Sequence, residues 1–453
     1  MAFYAAIIFS ILVTLIYWLE KKELKAFFIF WYIVFLPTQK LLPDEMIKIP
    51  GFGFEFLFGL SFLFFDLVAR PRKGLFSPKQ IYSKINYAIL IFVLQMLFLM
   101  YEVLKISFVG NPTENTPNFF VFTIRSLISL TIFLRLSVYL QDEYYRNVII
   151  RALSVGLIFL GVSSFLSPFL KTLGLTIGGS MQENRASGEE VYRSAGLFKG
   201  HPTVFAGFIS AGFGFAFAFF IVSKEKVKKI FFLCVMVACL LGVLNAAVRA
   251  GIFGIVIIIL FYIFVEKQSF SSKSGIIFLV IAIGLWLLFS FGDYMLYRFT
   301  TTEEQLVGVQ GVEDSMSRTA TWGTHLYVLF HNPSIWLYGT WEEIIVVGHV
   351  LAPHSTPLKF LVYAGIPFFI IYYFTIFRLI KYYFKKRDIL TFNILYPLIG
   401  YLIPSLMNDN IDLRYLPLFL ALGLFNLNEF KLSILAQLYF SKKKKTLASE
   451  ALQ

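Results

Sequence analysis

The sequence predicts an all-α polytopic membrane protein, and three observations carry that expectation. Hydrophobic residues fill 58% of the 453 positions, charged residues only 15%, and the mean hydropathy is +0.74. A soluble domain carries roughly 25% charged residues, so this chain has too few to coat a water-facing surface of its size. Apolar stretches recur from end to end, each of the roughly 20 residues that cross a bilayer core of about 30 Å. The basic residues gather in alternate short loops, as the positive-inside rule leaves them.

Taken in order, about thirteen spans are expected, with twelve to fourteen allowed. They centre on residues 2–19, 26–42, 53–69, 86–108, 119–140, 148–170, 201–223, 230–248, 250–266, 275–291, 357–379, 389–406 and 414–430. The first lacks a basic n-region and a small-residue cleavage site, so it reads as a retained span and not a signal peptide. The basic clusters are Arg70, Arg72, Lys73, Lys79 and Lys84; the run Lys224–Lys229; Arg378, Lys381, Lys385, Lys386 and Arg387; and Lys442–Lys445. Placing all of them in the cytoplasm puts the N-terminus outside and the C-terminus inside. Residues 1–440 then form a single transmembrane domain, and 441–453 a basic cytoplasmic tail.

This distribution makes the net charge of +13 topological, and no nucleic-acid partner is expected. Cys234 and Cys239 stand five residues apart in one apolar stretch, without CxxC spacing, and are expected to be buried and inert. No internal repeat is apparent, so the inverted-repeat signature common in secondary transporters is missing.

The loops near 43–52, 109–118, 171–200, 248–250, 292–356 and 407–413 face outward in this scheme. Residues 171–200 are polar and Gly-rich, and residues 292–356 form the largest extramembrane piece, with Trp322, Trp336 and Trp341. Long loops in compact architectures tend to be functional, and these two are expected to cap an active site. The tryptophans suit an amphipathic cap lying on the membrane surface.

Three segments hold residues suited to chemistry. Arg249 sits between two apolar runs at the tip of an outer hairpin, where an isolated cation opposes the orientation rule. Snorkelling to lipid phosphates is the plain alternative; an anion site is the functional one, because guanidinium grips phosphate bidentately and keeps its charge. Arg193 lies in YRSAGLFKGHPTVFAGF, just ahead of a span opened by Pro202, whose free N–H groups favour an anion. A solvated loop arginine is the alternative there. Two outer arginines beside a helix start suggest a diphosphate. His354 stands at the entry to the span near 357–379, and histidine is the usual general base near neutral pH. Interfacial histidines are more often structural than catalytic. His325, His331 and His349 lack zinc-ligand spacing, and no metal is expected.

Together these segments resemble the O-antigen ligase and O-antigen polymerase superfamily of bacterial envelope enzymes. That family has Arg-x-x-Gly-x-Phe leading into a span, matched by Arg193, Gly196 and Phe198. It has an arginine at the outer tip of a helical hairpin, matched by Arg249. Its third motif is His followed by Asn, Ser or Gln, then nine residues and Gly, matched by His354, Ser355 and Gly365. Arg318 and Trp322, in SRTATW, match an arginine with a nearby tryptophan late in the large loop. The resemblance covers residues 190–375. Phe368 departs from the small residue or Tyr that some members carry three positions after that Gly, which leaves the subfamily open.

The resemblance implies a GT-C type glycosyltransferase of the bacterial inner membrane with its active site facing the periplasm. It implies an inverting reaction without metal or cofactor. The donor would be an undecaprenyl-diphosphate-linked glycan, and the acceptor a glycan on polyprenol lipid or on lipid A–core. His354 would be the base, Arg193 and Arg249 would hold the diphosphate, and Arg318 would close the loop over the donor. Polymerase is slightly favoured over ligase by the GLFKGHPTVFAG segment. Two other readings stand beside this one. A different GT-C enzyme would use Asp44 and Glu45 as acids, and a lipid-glycan flippase or transporter would line a path with Glu55, Asp66, Arg125 and Arg135.

Overall fold

Without water to bond its backbone, an apolar segment in a bilayer must satisfy its own N–H and C=O groups, which a helix does. The computed structural model describes residues 2–37, 54–68, 78–108, 119–140, 142–172, 180–184, 190–198, 202–246, 248–265, 318–340, 344–346, 349–350, 353–386, 392–407, 416 and 418–420. The expected spans within these residues are helices. They are α1 (Ala2–Glu20), α2 (Leu24–Phe35), α3 (Phe54–Val68), α4 (Pro78–Phe108), α5 (Phe119–Tyr139) and α6 (Glu143–Thr172). After them come α7 (Pro202–Val222), α8 (Lys226–Ala246), α9 (Arg249–Val265), α12 (Thr356–Lys386) and α13 (Phe392–Met407). Six of them, α4 to α8 and α12, contain stretches long and apolar enough to cross a membrane, and five are shorter apolar helices. The expected span 275–291, and nearly all of 414–430, lie outside the described residues.

Helix α7 is the centre of the bundle. It packs against α8, α9 and α13, and almost all its residues from Phe205 to Ala218 are buried. Small residues let the backbones meet, as usual in membrane helices. A Cβ on Gly400 of α13 would lie 2.4 Å from the Ser210 carbonyl of α7, and one on Gly214 of α7 would lie 2.4 Å from that of Tyr396. Aromatic rings fill the rest, with Phe217 edge-on to both Tyr262 and Tyr396.

The two long loops expected to face outward carry more structure than the sequence suggested. Residues Ser180–Asn184 (β1) and Glu190–Ser194 (β2) form an antiparallel hairpin in the first. The second holds α10 (Arg318–His331), the short α11 (Ile335–Tyr338) and a two-residue pairing of Ile345–Val346 (β3) with His349–Val350 (β4). SMQEN and EVYRS lack the apolar alternation that marks a half-buried strand, so periodicity could not reveal them. One expectation is corrected: Cys239 is buried but Cys234 is exposed, on the outward face of α8.

Candidate functional site

Helix directions bring the three motif segments to one end of the bundle. Gly254, early in α9, meets Ser210 of α7 and Pro404 near the end of α13. Tyr372 of α12 meets Tyr401 of the antiparallel α13, their hydroxyls 3.1 Å apart. Helices α7, α9 and α12 therefore all begin at the same end. The basic turns that hold Lys21, Lys22 and Lys25, Lys224 to Lys229, and Arg378 with Lys381 lie at the other.

Arg193 is the fourth residue of β2, opposite Met181 in the hairpin. The turn that follows is wedged into the bundle, with Ala195, Leu197 and Phe198 buried. Gly196 adopts φ +58°, and a Cβ there would stand 2.4 Å from both the Ser163 Oγ and the Ser164 nitrogen of α6, so only glycine fits. Leu197 N–H donates to Ser163 Oγ at 3.1 Å, and Ser164 Oγ donates to the Ser194 carbonyl at 2.7 Å. Phe198 stacks on Phe208 and tilts against Phe205 of α7. The Arg-x-x-Gly-x-Phe pattern is thus a peg, with glycine and phenylalanine seating the chain beside the arginine.

Arg249 opens α9, between the buried Val248 and Ala250. Four residues earlier, the Asn245 side-chain amide donates to the Ser164 carbonyl. That carbonyl is available because Pro168, four residues on in α6, has no N–H to give it. Asn245, Ser164 and Ser194 thereby link the α8–α9 tip to the strand carrying Arg193. The start of α9, where Arg249 stands, is the positive end of that helix's dipole.

His354 is exposed while its neighbours Pro353 and Ser355 are buried, and its φ is +45°. A non-glycine residue in that region is uncommon, histidine being among the types that enter it more readily, and Lys22 does so at φ +55° in the turn between α1 and α2. The Ser355 carbonyl accepts Lys359 N–H at 2.8 Å, the first bond of α12. Gly365 breaks that helix at φ 84°, ψ 169°, and Pro367 follows. Helix α11 lies in the break, where a Cβ on Gly365 would come within 2.7 Å of the Leu337 carbonyl. The Val362 carbonyl, deprived of its helical donor, accepts Thr340 N–H at 2.8 Å. His354 and Gly365 therefore bound one half-helix docked on the large loop. Trp336, Leu337, Ile366, Pro367, Ile370 and Ile371 line an open apolar groove beside the break.

Arg318 opens α10, which docks on α12 through buried His325, its ring 6.2 Å from that of Tyr363. His325 Nδ1 lies 2.8 Å from the Thr321 carbonyl and His331 Nδ1 3.0 Å from that of Tyr327, each one turn back in the same helix. Sequence reasoning passed over three residues at the end of α4. Tyr101 donates to the Tyr338 carbonyl at 2.6 Å, Glu102 pairs with Lys359 at 3.0 Å, and Lys105 donates to the Thr340 carbonyl. Two charges three positions apart near the end of an apolar span were the available signal.

Two of the charged residues of the transport reading, Asp66 and Arg135, pair with each other, while Arg125 lies apart from them and the Glu55 side chain is outside the described residues. Asp66 is held by Arg135, Tyr139 and Lys25 at the basic end of the bundle. Arg125 lies over the Phe56 ring toward the other end, ten residues or roughly 15 Å along α5 from Arg135. Asp44 and Glu45 lie outside the described residues. Compared with known proteins, the chain matches no family model and no curated relative.

Proposed function

We propose that this protein is a GT-C type glycosyltransferase that moves an undecaprenyl-diphosphate-linked glycan onto a glycan hydroxyl at the periplasmic face of a bacterial inner membrane. The observation that supports the reading is that the helix directions put the segments carrying Arg193, Arg249 and His354 at one end of the bundle, opposite the basic turns. By the positive-inside rule that end faces outward. The motif residues that accompany Arg193 and His354, namely Gly196, Phe198 and Gly365, have steric or packing reasons to hold those two segments there.

In this proposal His354 takes the proton of the acceptor hydroxyl as its oxygen attacks the anomeric carbon. The bond from that carbon to the diphosphate oxygen breaks, its electron pair leaves with the diphosphate, and configuration inverts. Arg193 and Arg249 hold the diphosphate and stabilise the charge that grows on it, usually the larger catalytic contribution. A lipid diphosphate leaves readily, so no carboxylic acid is required. Arg318 closes the large loop over the donor. We favour a polymerase, in which both glycans remain on polyprenol, over a ligase that delivers to lipid A–core.

Complementation with glycan-length display tests the choice. Rescue of a polymerase-null strain, which makes single repeats, supports polymerase. Rescue of a ligase-null strain, which accumulates lipid-linked polymer, would replace it with ligase, and rescue of neither would remove both.

A further inference from the structure

We infer that Lys105, with Tyr101, Glu102 and Lys359, forms a latch that fastens the end of the large outer loop to α4 and thereby fixes where His354 stands. These are positioning residues, and their catalytic consequence rests on the reading of His354 as base.

One turn of α4 supplies three contacts. Tyr101 and Lys105 donate to the carbonyls of Tyr338 and Thr340, on either side of Gly339. Glu102 pairs with Lys359 on the half-helix that follows His354. Lys105 is only 6% exposed, and its ammonium lies 4.8 Å over the Tyr363 ring and 5.5 Å over that of Tyr101. A buried ammonium is tolerated where it is bonded and paired, so this site is built around the lysine. Gly339 has φ +74°, and a Cβ there would meet the Tyr363 carbonyl at 2.4 Å, which presses the loop directly onto the half-helix. Thr340 N–H to Val362 closes the joint.

The need for such a joint follows from Gly365. Its break leaves residues 356–364 as a short rod attached to the rest of α12 through one non-helical residue. A base must come within about 2.6–3.2 Å of the proton it removes, and small misplacements are costly to rate. The latch holds the free side of that rod, from α4 through Glu102 and from the loop through Thr340.

The test uses the full-length protein in lipid nanodiscs, with hydrogen exchange read by mass spectrometry and transfer kinetics on the same preparations. Lys105→Met should speed exchange about tenfold or more in the peptides covering 335–340 and 354–364, leaving 190–198 unchanged. It should lower kcat by about ten- to a hundredfold, with donor KM within about twofold. Lys105→Arg, which keeps a cation and donors, should restore most of both. Should Lys105→Met fail to reach the membrane, Tyr101→Phe and Glu102→Gln remove one contact each and should show smaller shifts of the same kind. Unchanged exchange in both peptides would overturn the latch. Faster exchange with undiminished kcat would overturn its role in positioning His354. Wild-type protein that transfers nothing would sink the transferase reading instead, with the exchange data still deciding the latch.

Discussion

At His354 the proposal makes its sharpest demand on one side chain. Glutamine keeps a hydrogen-bonding amide there but cannot take a proton. His354→Gln should therefore slow transfer about 10²–10⁴-fold, the usual contribution of a general base, while the protein accumulates normally and still binds donor. An active His354→Gln enzyme would end the general-base assignment and leave a histidine that caps the start of α12. Arg249→Lys keeps the charge and loses the planar fork, so most activity should disappear. Near-normal glycan chains from that variant would make Arg249 a lipid anchor. Gly365 is a purely steric case. Its φ of 84° suits no other residue well, and a Cβ would press on the Leu337 carbonyl. Gly365→Ala should cost about 1–3 kcal/mol, the scale of a strained backbone site, visible as a lower unfolding temperature in detergent. Equal stability would mean the break is dispensable.

Among the elements, the ends of α2, α3 and α5 show how charge can serve architecture within an apolar bundle. The Asp66 carboxylate, 4% exposed, accepts from Arg135 and Tyr139 and pairs with Lys25 at 3.4 Å. Its sequence position within an apolar run suggested a transport path, yet its partners are 41, 69 and 73 residues away, at separations no local pattern reveals. Asp66→Ala would leave two cations facing each other around an apolar site. It should destabilise the fold by about 1–3 kcal/mol while the molecules that fold retain transfer. Normal stability with lost activity would put Asp66 in the chemistry and revive the path. The same separation hid the latch, since Lys105 and Thr340 lie 235 residues apart. The helices themselves were legible because each signals its presence locally: the expected 119–140 is Phe119–Tyr139, and 201–223 is Pro202–Val222. At the candidate site the sequence displayed the residue types. It could not display the peg at Gly196 or the docking of α11 in the break at Gly365, because both are defined by the partner surface.

For the molecule as a whole, the separation of basic turns from the Arg193, Arg249 and His354 end predicts, by the positive-inside rule, an orientation that is simple to check. A cysteine at Ser187, between β1 and β2, should react with an impermeant thiol reagent in intact spheroplasts, with exposed Cys234 changed to Ser to remove background. Labelling only after rupture would invert the arrangement and move the site to the cytoplasm. The most direct measurement is transfer by the purified protein in liposomes, supplied with undecaprenyl-diphosphate-linked oligosaccharide and no nucleotide sugar, with glycan length and released undecaprenyl diphosphate read together. The account predicts longer lipid-linked glycan, one undecaprenyl diphosphate freed per linkage formed, and neither product from His354→Gln. Donor recovered intact when lipid-linked and lipid A–core acceptors are both present, from protein that is folded and correctly oriented, would contradict it.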